Sequence, residues 1–220
     1  MSFNLFDPEQ EMAIEYGRLP HWYQPGITYF ITFRAADSVP KAVMADWQGR
    51  RRAWLRDRGF PESATAADLP AGVRHEFHCV FSAEFLDYLD RGYGECVLRR
   101  PELARIVLDS LLNFDGDRYD LAEAVVMPNH VHAVVGLRGA TDVQAQCKSW
   151  KHYTAVQMNR RLGRRGEFWQ TESFDHAVRT PEAFVRFRQY IAENPDRAGL
   201  REGEYLRYSK PIASRSDAAT

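Results

Sequence analysis

The segment Met127-Pro128-Asn129-His130-Val131-His132-Ala133-Val134-Val135 places two histidines around one apolar residue at the start of a β-branched run. Successive side chains of a strand point to opposite faces. His130 and His132 therefore share a face and Val131 takes the other. Two imidazoles side by side on a rigid strand are what a metal site needs. The pair gains weight from a second segment further on, Tyr190-Ile191-Ala192-Glu193-Asn194-Pro195.

The elements around these segments mix strands and helices without a βαβ alternation. Ile27 to Arg34 is β-branched and aromatic, and reads as a strand. A helix is expected over 40–58, loop over 59–74, and a short helix over 82–91. Pro101 to Phe114 is a helix with proline in its first turn and Gly116 just beyond its end. Ala122 to Met127 and His130 to Leu137 are strands joined by Pro128-Asn129. Asp142 opens a helix reaching about Arg161, and Phe168–Gln170 and Phe174–Arg179 read as short extended pieces. Thr180-Pro181-Glu182 is a strong helix start, with an N-cap, a proline at the first position and an acid in the first turn. Pro195 is expected to end that helix at Asn194. The class these elements support is α+β with an antiparallel sheet.

The chain has 220 residues, which suits one domain, and its 45% hydrophobic and 27% charged content is ordinary for a soluble globular protein. No apolar run approaches a membrane span, and the first residues lack a basic region followed by an apolar core. Cys79, Cys96 and Cys147 are few and scattered, so a cytoplasmic protein with free thiols is expected. Net charge is −1 overall, yet Arg138 to Arg188 holds ten Lys/Arg against five Asp/Glu. Such a concentration is what a phosphate-binding face leaves in a sequence, although solvated helices carry similar charge.

On the helix from Pro181, the residues Phe184, Phe187 and Ile191 make an apolar stripe, and Arg186, Tyr190 and Asn194 make a row along its flank. A phenol there is held by packing yet reachable. It suits a nucleophile, and equally a half-buried packing tyrosine. A tyrosine is a poor nucleophile at neutral pH, its pKa being about 10. A divalent metal on the two histidines would polarise a phosphoryl oxygen. Attack would leave a covalent phosphotyrosine that preserves the bond energy for rejoining. Asn194 supplies a neutral oxygen one turn beyond Tyr190.

Four motifs, in order, resemble the single-tyrosine HUH transposases, and most of all their REP-associated branch. They are Leu19-Pro20-His21-Trp22 with the strand after it, Met127 to His132, Trp169-Gln170 with Phe174 to Arg179, and Tyr190 to Leu200. The resemblance spans about residues 18–208, between an N-terminal extension (1–17) and a tail expected to be disordered (209–220). It implies a ferredoxin-like fold, a monomer, and cleavage of single-stranded DNA at hairpins through a 5′-phosphotyrosine. His130, His132 and Asn194 would hold Mg²⁺ or Mn²⁺, and Tyr190 would attack. Other branches have glutamine at the last ligand position, and two imidazoles suit Zn²⁺ or Mn²⁺ better than Mg²⁺. Residues 41–100 exceed what the smallest members have, and only DNA contact or packing is expected of them.

Further expectations concern the surroundings of the site. His176 would donate to a phosphate or orient the site from behind with Asp175, or the two would make a structural hydrogen bond with each other. Lys148, Lys151, Arg160, Arg161, Arg164, Arg165, Arg179 and Arg186 would bind DNA phosphates. Trp150, Tyr153, Phe168 and Trp169 are available for base stacking or for the core. Three rival readings are open: a zinc site at His75-Glu76-Phe77-His78-Cys79, which lacks a fourth ligand at a recognised spacing; a hairpin-binding protein without catalysis; and a phosphoesterase using water.

Overall fold

The computed structural model describes residues 3–7, 9, 13–16, 20–64, 68–77, 80, 81 and 83–211, with backbone alone at 13–16, 20–23, 71 and 75. Leu19, His78, Cys79 and residues 212–220 of the expected tail lie outside the described residues. In chain order the elements are β1 (Ala13–Tyr16), β2 (Pro20–Tyr23), β3 (Thr28–Arg34), α1 (Lys41–Asp57), α2 (Ala71–Phe77), α3 (Ala83–Asp90), α4 (Pro101–Leu112), β4 (Tyr119–Val126), β5 (His130–Leu137), α5 (Val143–Leu162), β6 (Phe174–Ala177), α6 (Pro181–Arg197) and β7 (Leu206–Ser209). β1 and β2 form a separate antiparallel pair.

The main sheet has the order β6-β3-β5-β4-β7, and each neighbouring pair is antiparallel. Taken alone, β3, α4, β4, β5, α5 and β6 make a β-α-β-β-α-β unit with its fourth, first, third and second strands side by side. That is the ferredoxin-like arrangement, here extended at one edge by β7. α4 and α5 cover one face. Their core joins Ile31, Phe33, Val131, Ala133 and Val135 to Leu103, Val107, Leu111, Cys147 and Trp150. α6 lies on the other face, where Phe30, Val125, Val134 and Ile191 meet. With both faces covered, β4 and β5 are buried at every position, their polar residues Asp120, Glu123, His130 and His132 included.

Two boundaries differ from expectation. α6 does not stop at Asn194 but runs through Pro195 to Arg197. A proline removes the bond its missing N–H would make and crowds the preceding turn, but the next turn still closes, with the Ala198 N–H donating to the Asn194 carbonyl at 3.0 Å. α2 begins at Ala71, inside the expected loop. The expected tail is packed over its first residues. Ser209 ends β7, the Lys210 N–H donates to the Ala122 carbonyl at 3.0 Å, and Lys210 Nζ reaches Asp115 at 2.8 Å.

The enlarged region forms a helical unit with its own small core of Leu55, Leu69, Phe77 and Phe81, edged by Trp47 and Trp54. Several arginines of this region are engaged by nearby acceptors: Arg50 with Asp46 and Glu84, Arg51 with the Ala64 carbonyl, Arg56 with Glu62, and Arg58, just after α1, with Glu76, while Arg52 is exposed.

Candidate metal centre and its tyrosine

His130 and His132 stand on the α6 face of β5, opposite Arg34 and Thr32 of β3. Both are fully buried, with ring centroids 4.6 Å apart. The His130 Nδ1–H donates to Asn129 Oδ1 at 2.7 Å, because a carboxamide oxygen only accepts. Asn129 is turned that way by its own Nδ2, which donates to the Tyr93 carbonyl at 2.9 Å. This fixes the tautomer and leaves the lone pair on Nε2. His132 Nδ1 lies 2.7 Å from the Thr32 hydroxyl. Its ring is stacked at 5.5 Å on Phe30, which in turn stacks at 4.5 Å on Phe187 of α6.

Burial pushes the pKa of His130 down to about 3, with Asn194 opposing weakly, and drives His132 well below the ordinary value, aided by its neighbour. Both imidazoles are therefore neutral near pH 7, the form that ligates a metal. The 3.6 Å approach of His130 Nε2 to Asp90 Oδ1 is accordingly not an ion pair.

Asp90, the last residue of α3, completes a group with the two histidines: ligand atoms of all three lie within 4.8 Å of one another. Asn194 is also here, buried, donating from Nδ2 to Asp90 at 2.8 Å and to the Tyr190 hydroxyl at 3.4 Å. Three buried polar atoms face this space without a hydrogen-bond partner: His130 Nε2, His132 Nε2 and Asn194 Oδ1. Unpartnered buried polar atoms are costly. A cation bound among two imidazole nitrogens, a carboxylate and an amide oxygen would satisfy them, so the donor set fits a divalent metal.

Tyr190 lies one turn before Asn194. Its ring meets Phe30 edge-on at 5.9 Å and His132 at 5.3 Å, while the Arg197 guanidinium covers it at 5.2 Å. Burial first, and then the Asp90 charge, raise the phenol pKa above its ordinary value, with Arg197 opposing. An open cleft of about 340 Å³, lined by Asp87, Asp90, Arg91, Arg197 and Ala198, leads to this corner. A smaller pocket beside it reaches His130.

Other expected residues are distributed differently. His176 is on the α6 face but pairs with Phe30, one row along from His132, and its ring lies against Phe187 at 5.5 Å. Asp175 points to the opposite face of the sheet, where Gln144 of α5 donates to it at 2.6 Å. It stands behind neither histidine, because a one-residue step along a strand reverses the face. Trp150, Phe168 and Trp169 are core residues at 2%, 5% and 4% exposure, so only Tyr153, at 53%, is free to stack on a base.

Lys148, Arg160, Arg161 and Arg165 are exposed on or just after α5, on the far face from the histidines. α5 runs back along the sheet, so its last turn lies at the His130 end of β5. There Arg164 pairs with Glu95 at 2.7 Å and the Trp169 backbone bridges to Ala35. Lys151 is tied down by the Thr171 carbonyl at 2.6 Å. Arg179 lies over the Phe6 ring at 5.1 Å, and Arg186 is exposed on α6.

Two site residues escape sequence reasoning. Asp90 is remote from both motifs, and nothing in a short amphipathic helix marks its last residue as a ligand. Arg34, opposite His130, is a mostly buried guanidinium whose pKa burial lowers to about 10. It donates to the Ser38 hydroxyl at 3.1 Å and has no carboxylate partner among the described residues. Its place at the end of a strand beside the histidine strand was the available signal. The rival zinc cluster cannot be built here, since His78 and Cys79 lie outside the described residues.

No family model matches the chain, and no curated protein matches it. Among solved structures, it is similar to a REP-associated tyrosine transposase bound to a REP hairpin. The identity is 16%, covering 86% of this chain and 76% of that one, with a TM-score of 0.44.

Proposed function

We propose that this chain is a metal-dependent single-strand DNA endonuclease and strand transferase, a transposase-type enzyme that acts at DNA hairpins. The observation that carries the reading is the convergence of Tyr190 with His130, His132 and Asn194, contributed by two elements far apart in sequence but packed together through Phe30. In this reading Tyr190 is the nucleophile. Its Oη forms a bond to phosphorus, the P–O3′ bond breaks, and the phenolic proton ends on the released 3′ oxygen. The 5′ side stays on the tyrosine as a phosphodiester, and attack by a 3′ hydroxyl reverses the step.

His130, His132 and Asn194 would hold a divalent ion, Mg²⁺ or Mn²⁺. When bound, it supplies positive charge for a phosphoryl oxygen and favours the phenolate. The chain's own residues handle the rest. Phe30 and His132 fix the plane of the phenol, and Asn194 Nδ2 holds its oxygen toward the site. Arg34, lacking a carboxylate, is available to a DNA phosphate. Lys148, Arg160, Arg161, Arg165 and Arg186 would contact the backbone of a hairpin, with Lys151, Arg164 and Arg179 joining only if their present partners are exchanged. The protein would act as a monomer, since Tyr190 already lies against the histidine of its own chain. Among the described residues no helix is long and apolar enough to cross a membrane.

The test is incubation with Mn²⁺ and a labelled single-stranded hairpin from the genomic neighbourhood of the coding sequence. The expected product is a covalent protein–DNA adduct that is absent in Tyr190→Phe. Cleavage that survives Tyr190→Phe would replace this reading by a water-using nuclease. Binding without cleavage would leave a hairpin-binding protein that retains the fold.

A further inference from the structure

Asp90 belongs to neither motif, yet its carboxylate is at the centre of the site. It ends α3, whose unit has a separate core, and its side chain is 9% exposed. The contacts it makes there are with the Asn194 amide at 2.8 Å and the His130 ring at 3.6 Å. The nearby Arg197 is turned away, onto Asp87 at 3.2 Å and the Tyr190 ring. A buried carboxylate needs compensating charge, and neutral amides supply only part of it. Beside it, His130 Nε2, His132 Nε2 and Asn194 Oδ1 are buried without a hydrogen-bond partner. One divalent cation answers both deficits. With a single carboxylate among its ligands it keeps one net positive charge, the match for one phosphodiester.

We propose that the Asp90 carboxylate is a ligand of the same cation, so that filling the site also seats the α1–α3 unit on α6. The coupling follows from connectivity. α3 meets α6 through Asp90 with Asn194 and Asp87 with Arg197, one of these being a half-exposed ion pair of small worth. Arg34 of β3 also lies over the Phe85 ring of α3 at 5.3 Å, and a metal–carboxylate bond from α3 to β5 would add a stronger tie. This inference rests on the reading of the histidines as a metal centre.

The experiment compares full-length wild type, Asp90→Asn and His130→Ala by thermal melting, Mn²⁺ titration calorimetry and amide hydrogen exchange. In wild type, Mn²⁺ at about 100 times its Kd should raise Tm by roughly 5–10 °C and slow exchange over 83–90. Asp90→Asn should melt without metal at or above the wild-type temperature. It should bind Mn²⁺ at least about tenfold more weakly and lose the slowed exchange over 83–90. Unchanged Mn²⁺ affinity in Asp90→Asn, with binding lost in His130→Ala, would overturn the role of Asp90 and leave the metal centre standing. No Mn²⁺ response in wild type would overturn both. Should Asp90→Asn fail to fold, a Mn²⁺-bound crystal structure of wild type decides. An Asp90 oxygen at about 2.0–2.4 Å from the ion supports the proposal, and one beyond about 3 Å refutes it.

Discussion

At the scale of single residues, the site depends on which nitrogen of each histidine keeps its proton. Asn129 and Thr32 hold the Nδ1 atoms at 2.7 Å, and both Nε2 atoms are left facing the site. Thr32→Val removes one of these holds with little change in volume. It is expected to weaken Mn²⁺ binding by about 10–100-fold, measured by calorimetry, while the fold persists. Tyr119 gives a separate residue-scale prediction. Burial pushes its pKa up to about 12, although Trp150 Nε1–H, which donates to its oxygen at 3.0 Å, acts to lower it; the hydroxyl itself donates to the Leu111 carbonyl at 2.8 Å. A folded pKa above the unfolded one means the neutral phenol stabilises the fold. That contribution is complete below about pH 10 and is lost as pH rises from about 10 to 12. The midpoint of urea unfolding should fall across that window in wild type and fall less steeply in Tyr119→Phe.

At the scale of elements, α6 matters most, because it presents Tyr190 and Asn194 together. Its start is set by Thr180, whose hydroxyl accepts from the Ala183 N–H at 3.1 Å, and by Pro181 at the first position. Thr180→Ala should cost about 1 kcal/mol, seen as a Tm lower by roughly 2–4 °C. Both signals were legible in the sequence, as was the Asp142 cap of α5. The far end of α6 was not. Pro195 reads locally as a terminator, but helical geometry continues because the loss is one hydrogen bond in a helix already packed on the sheet through Ile191. That extra turn brings Arg197 over Tyr190.

At the scale of the whole molecule, charge is divided between two regions with different tasks. Arg50 and Arg56 of α1, and Arg58 just after it, are paired with acids, whereas Arg160, Arg161 and Arg165 are exposed with no ion-pair partner among the described residues. Replacing these three with alanine should leave Tm within a degree or two. It should also reduce the slope of log affinity for a single-stranded hairpin against log salt by about 2, at roughly 0.7 per phosphate contact. An unchanged slope would remove this end of α5 from the proposed DNA path.

The sequence alone determined the elements that carry the candidate site. The period of two along β5 put His130 and His132 on one face, and the spacing of four on α6 put Tyr190 and Asn194 in one row. Only tertiary structure decided what those rows meet. The pairing register turned Asp175 away and set Arg34 opposite His130. Covering both sheet faces took three of the four candidate stacking aromatics into the core. The docking of α3 brought in Asp90. Local periodicity fixes the direction of a side chain relative to its own element, but the partner it finds there depends on packing between residues far apart along the chain.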